Sequence, residues 1–388
     1  MPMARLPEIF RVAAGAAAAL AHVAVTAGPF AYGPIRDEPG PFFLWDSQLT
    51  VRTGGGYKKN ALLAATQRQD TGLAILGVEW MVFRPPVDAN QVFFFFSGDQ
   101  RYYLNPAVTG VGQPLATEEQ VFLTHLAYKR TLTERLTAGL SLTHLYNQQV
   151  LDATEYGGDR GSVQVVGHGI LVGPTLRGTL PAGFYVEAGL PLNRQFLRQP
   201  VSSFLEWGPK LTAGWNHTTN GSVEASFACI ERPFDTREQA DPLGVPIAGT
   251  RLTTHDLRSD LVWKQSWDAG RHFQTTARLF HVRRTDNGEG FTDYDRFGAA
   301  TTLKLESKDW LLRGTARWTT YQFPRQVVSV FDPSLRTRDG LEFEGRVEYR
   351  WTKQFRLYGE FFHEQQRSNV ASDDLHGHVW QVGIERDF

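Results

Sequence analysis

Side chains of alternating polarity run through almost the whole chain, and this period of two decides what the chain can fold into. From Leu341 to Trp351 the order Leu-Glu-Phe-Glu-Gly-Arg-Val-Glu-Tyr-Arg-Trp alternates without an error. Trp310, Leu312, Gly314, Ala316 and Trp318 fall on one face of another segment, and Arg313, Thr315, Arg317 and Thr319 on the other. The C-terminus sets Trp380, Val382 and Ile384 against Gln381, Gly383 and Glu385. Successive side chains of a strand point to opposite faces, so each segment carries one apolar face and one charged or small one. No stretch of similar length shows a 3.6-residue period. The chain reads as all-β, with about sixteen segments between residues 43 and 388 and fourteen to eighteen compatible with the pattern. Alternation is poorest at 91–104 and 119–132, where Phe93 to Phe96 is apolar on both sides.

The connections alternate as well. Read back from the C-terminus, 369–377 is long and 352–354 short, 324–339 long and 308–309 short, 235–251 long and 218–221 a turn. Short turns at one end and longer loops at the other belong to outer-membrane barrels, with the turns periplasmic and the loops external. Segments of ten to fifteen residues are long for a soluble sheet and fit a tilted membrane crossing. In water, sixteen apolar faces would need a second layer to cover them. Trp215, Trp263, Trp310, Trp351, Phe355 and Trp380 lie near segment ends on the apolar face, as the interfacial girdles of a barrel require. The expected fold is a closed antiparallel transmembrane β-barrel over residues 28–388.

Residues 1–27 read as a secretory signal peptide. Arg5 and Arg11 flank the segment leading into an alanine-rich apolar run, Val12 to Val25, and Val25-Thr26-Ala27 offers a cleavage site. Beyond residue 28 no apolar run approaches the ~20 residues of a membrane helix. With 40 basic and 41 acidic residues the chain lacks the excess of basic charge that nucleic acid demands. A single cysteine, Cys229, excludes an internal disulfide and a cysteine-based zinc site. No metal and no cofactor is expected.

By alternation Arg258, Asp260, Arg278, Arg313, Arg317, Glu342, Glu344, Arg346, Glu348, Arg350, Arg356 and Glu360 point into the barrel. So do Lys210, Lys304, Glu364 and Glu385. A barrel of about sixteen strands is wide enough for an aqueous channel, and charges of both signs along its wall would set a field that selects polar solutes. Three smaller constellations are weaker. His217-Thr218-Thr219-Asn220-Gly221 places a histidine beside a hydroxyl, the elements of a hydrolase nucleophile, but in a short turn where Asn-Gly is ordinary. Asp286, Glu289, Asp293 and Asp295 crowd one loop without calcium-loop spacing, and His376 and His378 share a face without completing a metal site.

These features together resemble bacterial outer-membrane β-barrel proteins over nearly all of the mature chain. The ending, with Trp380, Val382, Ile384 and terminal Phe388 on one face, resembles their C-terminal assembly signal, from which Arg386 departs. Glu155-Tyr156-Gly157-Gly158-Asp159, in the third external loop, resembles the acidic segment of the constriction loop of general porins. That resemblance would set Glu155 and Asp159 against the wall arginines. Gly54 to Asn60, followed by Ala61-Leu62-Leu63, resembles the opening strand of barrels of surface-lipoprotein or exopolysaccharide export. The family resemblance implies outer-membrane lipid, lipopolysaccharide and the barrel assembly machinery as partners, and leaves a homo-oligomer open. It implies a porin-like channel or export conduit for small polar solutes or a surface polymer, and no enzyme. The alternative is an occluded barrel serving as anchor or partner in surface assembly, and a lipid-modifying barrel enzyme stands behind both.

Overall fold

The computed structural model describes residues 45–388 apart from 62, 64–67, 88, 109–114, 153–161 and 199. The signal peptide over 1–27 and the loop carrying Glu155 and Asp159 therefore lie outside the described residues. The strands in order are β1 (Asp46–Lys59), β2 (Thr71–Val87), β3 (Asn90–Val108), β4 (Leu115–Thr133), β5 (Leu136–Asp152) and β6 (Ser162–Thr179). Then come β7 (Phe184–Gly189), β8 (Leu192–Leu197), β9 (Phe204–Trp207), β10 (Lys210–Thr218), β11 (Gly221–Pro233) and β12 (Thr253–Ser266). The last are β13 (Phe273–Asp286), β14 (Tyr294–Glu306), β15 (Trp310–Val327), β16 (Leu335–Arg350), β17 (Phe355–Ser368) and β18 (Leu375–Asp387).

All pairings are antiparallel, and β1 closes the sheet on β18 from Thr50↔Asp387 to Lys59↔His378. Both β7 and β8 pair with β6, and the interruption between them falls at Leu190-Pro191. Likewise β9 and β10 both pair with β11 on either side of Gly208-Pro209. Proline has no N–H for the ladder, so each break is a local defect in one crossing strand. Gly208 is obligatory there, because a Cβ would sit 1.9 Å from the Cys229 carbonyl oxygen. The barrel thus crosses the membrane sixteen times.

A single closed sheet has no second layer, so a side chain escapes solvent only by pointing inward. The shielded side chains are largely polar: Arg52, Arg101, Glu119, Asp256, Glu348 and Glu385 are buried. The outward ones are apolar, with Phe343 45% and Val347 43% exposed. Such a surface is stable in hydrocarbon and not in water, and only a closed barrel satisfies the backbone of strands there. The protein is an outer-membrane β-barrel. Trp310 packs against Tyr349 at 4.8 Å between ring centroids beside the short connection 307–309, while Trp318 lies eight residues further along the same outer face of β15. That separation is about 20 Å along a tilted strand, matching the apolar band of such barrels. Val347 lies between these levels. Val347→Arg, two residues inside the Trp310 level, should cost ~1–2 kcal/mol in urea unfolding from lipid vesicles, whereas Glu344→Gln, on the inner face, should cost little. Reversed costs would mean a register slipped by one residue.

One connection differs from the sequence expectation. Residues 324–339 are mostly strand: β15 runs to Val327 past an irregularity after Gln322, β16 begins at Leu335, and only 328–334 link them. Inward Arg336 holds this extension by donating to Gln326 and to Asp373, both at 2.6 Å. At the seam between β1 and β18, β1 stops at Lys59, Asn60 takes a left-handed backbone (φ 56°), and Ala61 and Leu63 turn into the interior.

Candidate functional site

The inward charges sort into enclosed clusters and an accessible lane. The first cluster lies at the seam. Arg52 of β1 reaches Asp99 at 3.3 Å, Glu79 at 3.4 Å and Glu385 at 3.6 Å. Arg346 of β16 pairs with Glu348 at 2.6 Å, with Glu385 at 2.8 Å, and with Glu360. Arg356 joins Glu348 at 3.1 Å, Glu385 at 3.3 Å and Asp387 at 2.8 Å. Glycines make this possible. A Cβ on Gly54 or Gly383 would meet the Tyr358 hydroxyl at 2.8 or 2.5 Å, so Tyr358 lies flat across β18 onto β1. A Cβ on Gly77 would meet the Arg52 Nε at 2.7 Å.

The second cluster spans strands that do not touch. Lys58 of β1 donates to Glu119 of β4 at 2.6 Å, although β2 and β3 stand between them. The contact is therefore made across the curvature of the wall. Arg101 and the Tyr103 hydroxyl bring their hydrogen bonds to the same carboxylate at 3.2 and 2.6 Å. In the third cluster Glu206 receives Arg232 and Arg258 at 3.1 and 2.9 Å, and Asp256 receives Arg258 and Arg284 at 2.6 and 2.7 Å. Above the seam an apolar group joins Ala61 and Leu63 to inward Ile75, Phe362 and Val379, and to Leu151 and Val165 from across β2–β4.

The lane runs over β12 to β16. Arg278 meets Asp260 at 2.5 Å, Arg317 meets Glu342 at 3.1 Å, and Lys304 meets Glu306 at 2.8 Å. Lys304 and Glu306 keep 35% and 36% of their side-chain surface exposed, against 1% for Arg52 and 3% for Glu119. Arg313 stands opposite Arg346, and half-buried Glu344 opposite Thr315. Arg350, exposed at the short-turn end, donates to the Lys308 carbonyl at 3.1 Å.

Every wall residue named from alternation points inward, but they do not act together. Arg258, Arg346, Glu348, Arg356 and Glu360 belong to enclosed clusters. Asp260, Arg278, Arg313, Arg317, Glu342, Glu344 and Arg350 line the lane. Sequence reasoning missed Arg52, Lys58, Arg101, Glu119, Glu206, Asp256 and Arg284. Of these, Asp256 shares the alternation of Arg258 and Asp260 and was open to detection by the same rule.

Trp380, Val382, Ile384 and Phe388 are exposed on the outer face, and the Arg386 guanidinium packs over Phe355 and Phe388 at 5.4 and 4.4 Å. Cation–π contact accommodates a charge that would otherwise face lipid unaided. His217 shares a hydrogen bond with Gln265 at 3.2 Å, at the short-turn end. The Asp286 carboxylate accepts from the amides of Gly288, Gly290 and Thr292, so it folds its own loop. In that loop burial, with the neighbouring Asp286 charge adding to it, pushes the Asp293 carboxyl up. Among the described residues no three histidines, cysteines or carboxylates gather to hold a metal ion.

No family model and no curated protein matches the chain. Solved structures align with most of the chain at low identity. OccAB1 of Acinetobacter baumannii aligns over 91% of this chain and 98% of its own at 9% identity, with a TM-score of 0.49. A loop-deleted OmpT, an outer membrane protein of Vibrio cholerae, aligns over 89% and 99% at 10% identity and a TM-score of 0.45. A bacterial polysaccharide outer membrane secretin aligns over 88% and 97% at 8% identity and a TM-score of 0.42.

Proposed function

We propose that this barrel is a non-catalytic channel for small polar and charged solutes, with its water path along the β12–β16 wall. The observation that carries the reading is the contrast in accessibility among inward charges. Asp260, Glu342, Lys304 and Glu306 keep 22–36% of their side-chain surface exposed, whereas Arg52, Lys58, Glu119, Asp256 and Arg284 keep at most 3%, and Arg346 and Arg356 lie between at 14% and 23%. Enclosed pairs narrow the lumen and hold its shape. Exposed ones present alternating charge to a solute that moves past them. The occluded-anchor reading draws on the apolar group around Ala61, Leu63 and Phe362, which fills space above the seam.

Planar-bilayer recording on refolded protein separates the two. Discrete, ohmic conductance steps are expected from the wild type. A folded, heat-modifiable barrel that never conducts would remove the channel reading and leave the anchor.

A further inference from the structure

Outside the barrel, at the seam, lies a row of residues that neither the lumen nor the lipid band accounts for. His363 of β17 stands opposite His378 of β18, and His378 opposite Lys59 of β1, so the three form one line across three strands. All three are on the outward face: their neighbours Phe362, Val379 and Lys58 are buried inside, and Trp380 and Tyr57, two residues away, are exposed to lipid. The His376 ring packs against both other histidines, at 5.5 and 6.0 Å between centroids. Lys59 and exposed Arg68 lie close enough to act on its charge. Acidic Asp70 is already engaged, accepting from the Tyr57 hydroxyl at 2.6 Å and the Asn60 amide at 2.9 Å.

The height of this row identifies its environment. The Phe361 and Trp380 rings pack at 4.1 Å between centroids, tilted by 36°, two residues below His363 and His378 on the side of the short turns. They belong with Tyr57 to the aromatic girdle of the external interface. The row therefore sits one step above the girdle, at the headgroups of the outer leaflet. A lysine, an arginine and three imidazoles there present hydrogen-bond donors to an anion.

We propose that this seam patch binds the phosphate groups of the outer-leaflet glycolipid, its acyl chains lying against Trp380 and Phe361. The site is independent of whether the lumen conducts. Native mass spectrometry of the detergent-solubilised barrel tests it, using a bis-phosphorylated acyl glycolipid and the same lipid with its phosphates removed. One retained copy of the phosphorylated lipid is expected, preferred by about tenfold or more. Lys59→Ser with Arg68→Ser should abolish the preference while heat-modifiable migration is kept, and Arg283→Ser, on the outer face of β13, should not. Equal retention of the two lipids would overturn the proposal without recourse to any variant. So would an unchanged preference in the folded double variant, or complete displacement of the lipid by millimolar inorganic phosphate, which would mark a site for free anions.

Discussion

Glu119→Gln should destabilise the barrel by about 3–5 kcal/mol, read from urea unfolding in lipid vesicles. The Glu119 carboxylate is buried and is shared by two cations, Lys58 at 2.6 Å and Arg101 at 3.2 Å, themselves almost fully enclosed. Neutralising it leaves two positive charges without their common counter-charge in a place water does not reach, and that cost dominates any pairing energy. Lys58→Met should be much milder, because Arg101 and Glu119 remain as a neutral pair. Equal costs for the two variants would show that charge balance is not what holds this cluster. The Tyr103 hydroxyl also donates to Glu119, so Tyr103→Phe should fall between them, near the ~1.5–3 kcal/mol of a hydrogen bond to a charged group.

That cluster also marks where sequence reasoning runs out. The faces of β15, β16 and β18 were plain, because alternation is local and each residue declares its side by parity with its neighbours. The sixteen crossings followed from the same rule, including the two broken by Pro191 and Pro209, whose flanks keep phase. Enclosure is different. Arg313 and Arg346 have the same local pattern and stand opposite each other, yet Arg346 is surrounded by Glu348, Glu360 and Glu385. Which carboxylates surround an arginine depends on how the sheet is sheared when it closes. Closure brings Arg52 to Glu385 from opposite ends of the chain. No period in the sequence encodes that shear. Arg313, Arg317, Arg346 and Arg350, two pairs four apart on adjacent strands, accordingly form no single basic patch, with Arg346 neutralised and Arg317 paired to Glu342.

Arg313→Gln with Arg317→Gln should leave folding intact and turn the channel toward cations. Both arginines lie on the inner face of β15, four residues apart, beside the lane where side chains keep contact with water. Arg317 holds Glu342 at 3.1 Å, with 17% and 22% of the two side chains exposed. A pair so placed is screened and adds little to stability, which is why the double variant should fold. Its removal changes the field twice: two positive charges leave the wall, and the carboxylate of Glu342 loses its partner. Both changes favour cations at the same height of the lumen. In a tenfold potassium chloride gradient the reversal potential should move on the order of 10 mV toward the cation limit, which is about 59 mV for ideal selectivity. Glu342→Gln alone should move it the other way, because Arg317 is then the unbalanced charge. A folded double variant with the wild-type reversal potential would take both arginines out of the solute path. The lane along β12–β16 would then be a wall that ions do not follow.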